Sequence, residues 1–326
     1  MSFEHLVAAA PTPRFGLGLA ALGRPGYINL GRTEDLPVER TVSAMRDRAF
    51  EVLDAAYAQG VRYLDAARSY GRAEEFLAEW LDRRPEARDV VVGSKWGYTY
   101  TADWRDDAEV HEVKDHSVQT YDRQLIESRN LLGKRLDLYQ IHSVTPDSPA
   151  LTDPALHRRL ARLGAEGVLI GLSTSGPSQA DAIRAALTIR VDGAPLFRSV
   201  QATYNLLEPS AGAALAAAHE AGCVVIIKEG MANGRLAGGP ADAASTAVLQ
   251  QVAKEAGTSC DAAALAAVLH QPWADVVLSG AATVEQLTSN LRAATVQLDA
   301  EQLTRLATLA EPAGAYWQHR SQLPWS

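Results

Sequence analysis

Three apolar runs of this chain end on residues that seldom close a buried segment: 61–65 on Asp65, 90–95 on Lys95 and 136–142 on His142. A charge at the end of an apolar strand carries a desolvation cost unless it is paired or opens onto a cleft. Singly, each fits a structural ion pair or a cap. In succession, Asp, Lys and His point to one shared polar site. Tyr70 follows in the stretch DAARSYG, just before a helical pattern begins. A lysine ammonium beside a tyrosine favours the phenolate, so the phenol, with its ordinary pKa of about 10, gives up its proton more readily. Asp65 would hold Lys95, Tyr70 would supply a proton, and His142 would donate a hydrogen bond to an oxygen gaining negative charge. That set suits reduction of a carbonyl by hydride.

Such residues need a frame that gathers strand ends. Eight strand candidates run along the chain, at 15–20, 61–65, 90–95, 136–142, 168–173, 199–204, 223–228 and 276–279. Most are continuous apolar runs, as in parallel strands buried on both faces. Between them, Ala73, Phe76, Leu77, Trp80 and Leu81 recur at helical spacing, and Gly60 sits where the preceding helix would stop. Eight such units in 326 residues predict an α/β fold: one domain over 1–326, a (β/α)8 TIM barrel at about 14–311 with long loops at its C-terminal mouth and a tail over 312–326. A doubly wound sheet is the competitor, and Gly16, Gly18 and Ala21 spell its G-x-G-x-x-A. The breakers in LGRPGYINLG, however, keep a helix from opening there to hold a pyrophosphate. Residues 97–116 are polar and aromatic without a period, which reads as a functional loop.

Composition narrows the function. Hydrophobic residues at 47% and charged residues at 21% are enough for a large core, and a net charge of -8 speaks against broad attraction to nucleic acid or anionic lipid. Cys223 and Cys260 form neither a disulfide framework nor a zinc spacing. Glu4, His5 and two prolines near the start do not suit a signal peptide, and no apolar run reaches the roughly 18 residues of a membrane span. A cytoplasmic protein acting on a small molecule is expected.

On these residues the chain resembles the aldo-keto reductases, from about Arg14 to Glu311. The pattern D-T-A-x-x-Y-G is matched by Asp65 to Gly71, a strand-three lysine by Lys95 in VVVGSKWGY, and a strand-four histidine by His142 in LDLYQIHS. The resemblance implies a tetrad of Asp65, Tyr70, Lys95 and His142, no metal, and an extended nicotinamide dinucleotide across the barrel mouth. It implies an oxidoreductase that reduces an aldehyde or ketone to an alcohol, or runs the reverse, with Tyr70 as general acid/base. Cofactor contacts would come from Gly18, Ser173, Thr174 (in place of the usual Asn) and Gln201. The stretch after strand seven would add Lys228, Glu229, Gly230, Met231, Ala232, Gly234 and Arg235, and Gly280, Thr283, Gln286 and Asn290 would lie toward the adenosine.

Two departures stand out. Lys228 occupies the place where relatives set an aromatic ring against the nicotinamide; an ammonium offers no flat face, although its methylene stem can cover part of a ring. Ala282 stands where many members carry Arg, which leaves Arg235 as the candidate partner for a 2′-phosphate. The resemblance leans to NADP(H) over NAD(H). Aromatic clusters in 96–104 and 316–326 make Trp96, Tyr98, Trp104 and Trp317 candidates for the substrate pocket, with Arg24, Tyr27 and Asn29 at the first loop. Two other functions remain open: a Schiff-base aldolase or lyase using Lys95 or Lys228, and a cofactor-binding sensor or regulatory subunit.

Overall fold

The computed structural model describes residues 14–27, 33–238 and 246–325; Glu4, His5 and Asn29 lie outside the described residues. Its strands are β1 (Phe15–Gly18), β2 (Tyr63–Asp65), β3 (Val91–Trp96), β4 (Leu138–Val144), β5 (Leu169–Thr174), β6 (Ser199–Thr203), β7 (Val224–Lys228) and β8 (Val276–Ser279). Each pairs with its neighbours in sequence, and β8 returns to β1, so the expected (β/α)8 barrel is closed. Gly18 lies opposite Asp65, Asp65 opposite Gly93, and Lys95 opposite Gln140, all in parallel register. That register brings the polar strand ends to one mouth.

Helices cover the outside: α1 (Val42–Ala58), α2 (Ala73–Arg83), α3 (Val118–Leu132), α4 (Pro154–Ala165), α5 (Gln179–Leu187), α6 (Gly212–Glu220), α7 (Ala247–Glu255) and α8 (Cys260–Leu269). After β8 come α9 (Val284–Leu291), α10 (Ala300–Ala307) and α11 (Ala313–Ser321). Local chemistry sets their ends. The Thr41 side chain accepts from the Ala44 amide at the start of α1, and Gly60 takes a φ of 89° just past its end, a conformation that costs a residue with a Cβ. Asp153 caps α4, with Pro154 at its first position. On α2 the buried face carries Ala73, Phe76, Leu77, Trp80 and Leu81, as their spacing predicts. Burial of each large apolar side chain there contributes roughly 1.5–3 kcal/mol.

Alternation along the strands divides the core in two. Val92, Tyr139, Ile141 and Val225 face the helices. Tyr63, Val91, Leu138, Ile226, Val276 and Leu278 fill the barrel. The Tyr63 ring fits only because its neighbours are small: a Cβ on Gly16 would stand 2.7 Å from the ring, and one on Gly93 2.3 Å from the hydroxyl. That hydroxyl donates to Asp65 Oδ1 at 2.9 Å, so the barrel filling carries the polar site above it.

Two segments differ from the sequence expectation. The aperiodic stretch 97–116 contains a hairpin, Tyr98–Tyr100 against Glu112–Lys114, whose pairing is non-local and leaves no period in the sequence. β4 also runs past His142 to Val144, with a register shift after Ile141 and Ser143 at a φ of 55°. An irregularity of this kind re-aims side chains. Past Gly18, residues 20–25 are turns and bends, so no helix opens on the G-x-G-x-x-A pattern. Among the described residues no helix is long and apolar enough to cross a membrane.

Gly93→Ala should overpack the barrel and displace Tyr63 from Asp65, at a cost of about 1–3 kcal/mol. Urea unfolding reads this directly. An unchanged midpoint would mean that the interior can absorb a methyl group.

Candidate active site

At the mouth, the Lys95 ammonium is 0% exposed and forms an ion pair with Asp65 Oδ2. It also donates to the Ala66 carbonyl at 3.0 Å and points to Tyr70 Oη at 3.5 Å. Asp65 Oδ1 accepts from Tyr63 and, at 2.9 Å, from Gln201 Nε2. Both charges are therefore satisfied, as buried charges must be. A close crossing of two loops places Tyr70. Gly71 has a φ of 58°, and its missing Cβ would lie 2.4 Å from the Gly23 carbonyl; a Cβ on Gly23 would lie 2.3 Å from the Tyr70 carbonyl. The Tyr70 and His142 rings meet edge to face at 5.4 Å, and Ser69 Oγ lies 3.5 Å from His142 Nδ1. Asp65, Tyr70, Lys95 and His142, distant in sequence, thus converge.

The electrostatics differ from the expectation on one point. Burial and the nearby Asp65 carboxylate hold the Tyr70 phenol well above its ordinary value, against the opposing charge of Arg24. The Lys95 ammonium, 3.5 Å from Tyr70 Oη, is itself paired with Asp65. Tyr70 keeps its proton and is available as an acid. Burial, then the Lys95 and Lys228 charges, push His142 well below the ordinary histidine range, which leaves a neutral ring with one N–H to donate.

A cleft of about 520 Å³ starts at Asp65, Tyr70 and His142 and reaches the loop and helix after β8. Of the expected cofactor contacts, Gly18, Gln201, Lys228, Glu229 and Gly230 line it near the tetrad. Met231, Gly234, Gly280, Gln286 and Asn290 line it further along. Five others do not. Ser173 Oγ accepts from the Ser143 amide at 2.8 Å, and Thr174 is buried with its hydroxyl unpartnered. Ala232 is buried in a core cluster, and Thr283 caps α9 by accepting from the Gln286 amide. Arg235, expected to meet a 2′-phosphate, is turned away and held by both carboxylate oxygens of Glu311 at 2.5 and 3.1 Å.

The aromatic candidates need a similar correction. Trp96 follows Lys95 on β3, so strand alternation turns it outward; it is 0% exposed and packs on Tyr121 at 5.1 Å. Trp104 packs on Phe76 and donates to the Arg40 carbonyl at 2.7 Å, and Trp317 is buried beside Tyr316. Neither these three nor Tyr98 line the cleft. Tyr98 alone of the four touches the tetrad, 5.1 Å from the His142 ring. Arg24 and Tyr27 do line the cleft, as does Trp325 from the tail. The Arg24 guanidinium lies over the Tyr70 and Trp325 rings at 5.4 and 4.6 Å and pairs with Glu112 at 3.1 Å.

Sequence reasoning missed Glu112 and Arg320, because each reaches the site from a distant loop or tail and belongs to no motif. Arg320 closes α11 onto β7 by chelating the Glu229 carboxylate. Glu229 adopts a φ of 55° and also accepts from Thr203 Oγ1 at 2.8 Å. Lys228 Nζ donates to the same Thr203 hydroxyl at 2.8 Å, stands 3.9 Å from Glu229 and lies 5.9 Å from the Trp317 ring. Burial alone would raise the Glu229 carboxyl. The Arg320 and Lys228 charges, with hydrogen bonds from Arg320 and Thr203, outweigh it and bring the pKa to about 2.

A depressed carboxyl stabilises the fold fully above its unfolded value, about 4.3, and that contribution fades as pH falls toward 2. Glu229→Gln should lower stability at pH 7 by about 3 kcal/mol, the low end for breaking a buried pair, because the Arg320 side chain retains 23% exposure. It should also flatten the loss of stability between about pH 4.3 and 2. Denaturant unfolding across that range tests both, and a parallel pH profile in the variant would count against the clasp.

The model of the aldo/keto reductase family matches residues 38–311 of the chain. Aldo-keto reductase str7 of Strobilurus tenacellus is 24% identical over 322 residues, covering 90% of this chain and 87% of its own. Among solved structures, the glycerol dehydrogenase AKR11B4 from Gluconobacter oxydans superposes with a TM-score of 0.68 at 20% identity, over 92% of this chain and 94% of that one. The aldo-keto reductase AKR11C1 from Bacillus halodurans gives 0.66 at 22%, over 94% and 95%. These two likenesses show the shared barrel. With the match across most of its length, this chain belongs to the aldo/keto reductase family.

Proposed function

We propose that this protein reduces an aldehyde or ketone to an alcohol, or runs the reverse reaction, with Tyr70 as general acid/base and a nicotinamide dinucleotide as hydride carrier. The supporting observation is the meeting of Asp65, Tyr70, Lys95 and His142 at one end of a long cleft. Family members use nicotinamide cofactors, and the cleft suits an extended ligand: Gly280 leaves open space where a Cβ would stand, and Gly18, Gly230 and Gly234 also line the cleft. When bound, the dinucleotide supplies or accepts a hydride. The protein's part is to hold the carbonyl and manage its proton.

Tyr70 gives its proton to the carbonyl oxygen as that oxygen gains charge. Lys95, fixed by Asp65 and Ala66, stabilises the phenolate that Tyr70 becomes. His142 is neutral. With Nδ1 toward Ser69, its other nitrogen is the one left to donate to the same oxygen. The Schiff-base alternative is weakened for Lys95, whose ammonium is clamped by Asp65. Cys223 and Cys260 are free thiols, in keeping with the proposed cytoplasmic setting.

The cofactor preference we propose departs from the family lean. The cleft end away from Tyr70 would take the adenosine, and it is lined by Asp261 and Glu285 with no Lys or Arg among the described lining residues there. Arg48 approaches the loop after β8 but donates to the Asp35 and Ala282 carbonyls and pairs with Glu51. A 2′-phosphate would meet acidic groups. NADH should therefore bind at least as tightly as NADPH by calorimetric titration; a tenfold advantage for NADPH would reverse this reading.

Tyr70→Phe should lower carbonyl reduction by about 10²–10⁴-fold while dinucleotide binding persists, since only the proton donor is lost. Steady-state assays over a panel of aldehydes and ketones, beside calorimetry, read the two effects separately. Undiminished turnover in the variant would exclude Tyr70 as the acid.

A further inference from the structure

Among the described residues, the charges at the tetrad end of the cleft do not cancel. Lys95 and Asp65 form one pair, Arg24 and Glu112 another at 3.1 Å, and His142 is neutral. Lys228, Glu229 and Arg320 then share one carboxylate between two cations. Arg320 takes both oxygens of that carboxylate, whereas Lys228 stands 3.9 Å from it and donates to a neutral hydroxyl. One positive charge is left over, and Lys228, with a side chain only 15% exposed, is where it sits.

This charge borders the place where a hydride carrier must change its own charge. Tyr70, His142 and Lys228 line one cleft, so a nicotinamide within hydride distance of a carbonyl held by Tyr70 and His142 would lie near Lys228. The reduced ring is neutral. The oxidised ring, one hydride poorer, is a cationic pyridinium. Like charges repel most strongly where burial lowers the effective dielectric.

We infer that Lys228 sets the redox preference of the cofactor site, making the protein bind the reduced dinucleotide more tightly than the oxidised one and so favouring carbonyl reduction. The inference rests on the proposed oxidoreductase reading. It gives the departure from an aromatic residue at this position a physical role: a ring would accept either oxidation state, whereas an ammonium discriminates between them. Burial, partly offset by Glu229, lowers the Lys228 pKa to about 8, which still leaves it protonated at neutral pH.

Isothermal titration calorimetry at pH 7, without a carbonyl substrate, tests this by measuring NADH and NAD⁺ binding separately. Lys228→Met removes the charge and keeps an unbranched stem; Lys228→Arg keeps the charge. Wild type and Lys228→Arg should hold NADH about tenfold or more tightly relative to NAD⁺ than Lys228→Met does, a difference worth about 1.4 kcal/mol. Circular dichroism confirms that each variant is folded. A ratio in Lys228→Met within twofold of wild type overturns the role given to Lys228. Failure of the wild-type protein to bind NADH, NADPH, NAD⁺ or NADP⁺ overturns the dinucleotide reading itself.

Discussion

The buried pair between Lys95 and Asp65 is the constraint around which this site is arranged. Removing two charges from water costs several kcal/mol per ion, and their attraction offsets this only when the remaining hydrogen-bonding capacity is filled. Here it is filled from every side: Tyr63 from below, Gln201 from across the barrel, Ala66 from the adjoining backbone, and Tyr70 at the open edge. Each of these partners is held in turn. Tyr63 depends on the absence of side chains at Gly16 and Gly93, and Tyr70 on the close approach of Gly23 and Gly71. The pair is a means of keeping an ammonium dry beside a phenol rather than an efficient source of stability.

A second set of charges joins the tail to the barrel. Arg320 on α11 grips Glu229 past the end of β7, and Glu311 grips Arg235 in the same loop. Asn205 adds hydrogen bonds to the Glu229 carbonyl and to Tyr316 Oη. Glu229, Ala232 and Asn233 all adopt positive φ, a strained run that these contacts hold in place. The same clasp that orders the loop leaves Lys228 with the smaller share of the carboxylate. Structural and electrostatic roles therefore meet in one cluster.

The barrel was legible because its information is local. Apolar runs and helical spacing recur eight times, and each polar strand end could be identified from its own few residues. The tetrad was readable for the same reason: Asp65, Lys95 and His142 end their runs, and parallel strands of a barrel bring such ends to one mouth. The hairpin of 97–116 was not legible, since its pairing joins residues without a common period. Trp96 was misplaced because clustering in sequence says nothing of facing; its neighbour Lys95 already claims the inner face of β3.

Residue types and spacing were thus enough for the fold and for the four polar groups that meet at one mouth of the barrel. Folding decided their energetics. Only in three dimensions does Asp65 pair with Lys95 beside Tyr70, Glu311 withdraw Arg235 from the cleft, and Arg320 arrive from the far end of the chain to claim Glu229. The reason is the steep dependence of electrostatic interaction on distance and dielectric. A pattern of residues names the charges present, but which partner each one meets, and how much water remains between them, depends on contacts between segments far apart in the chain.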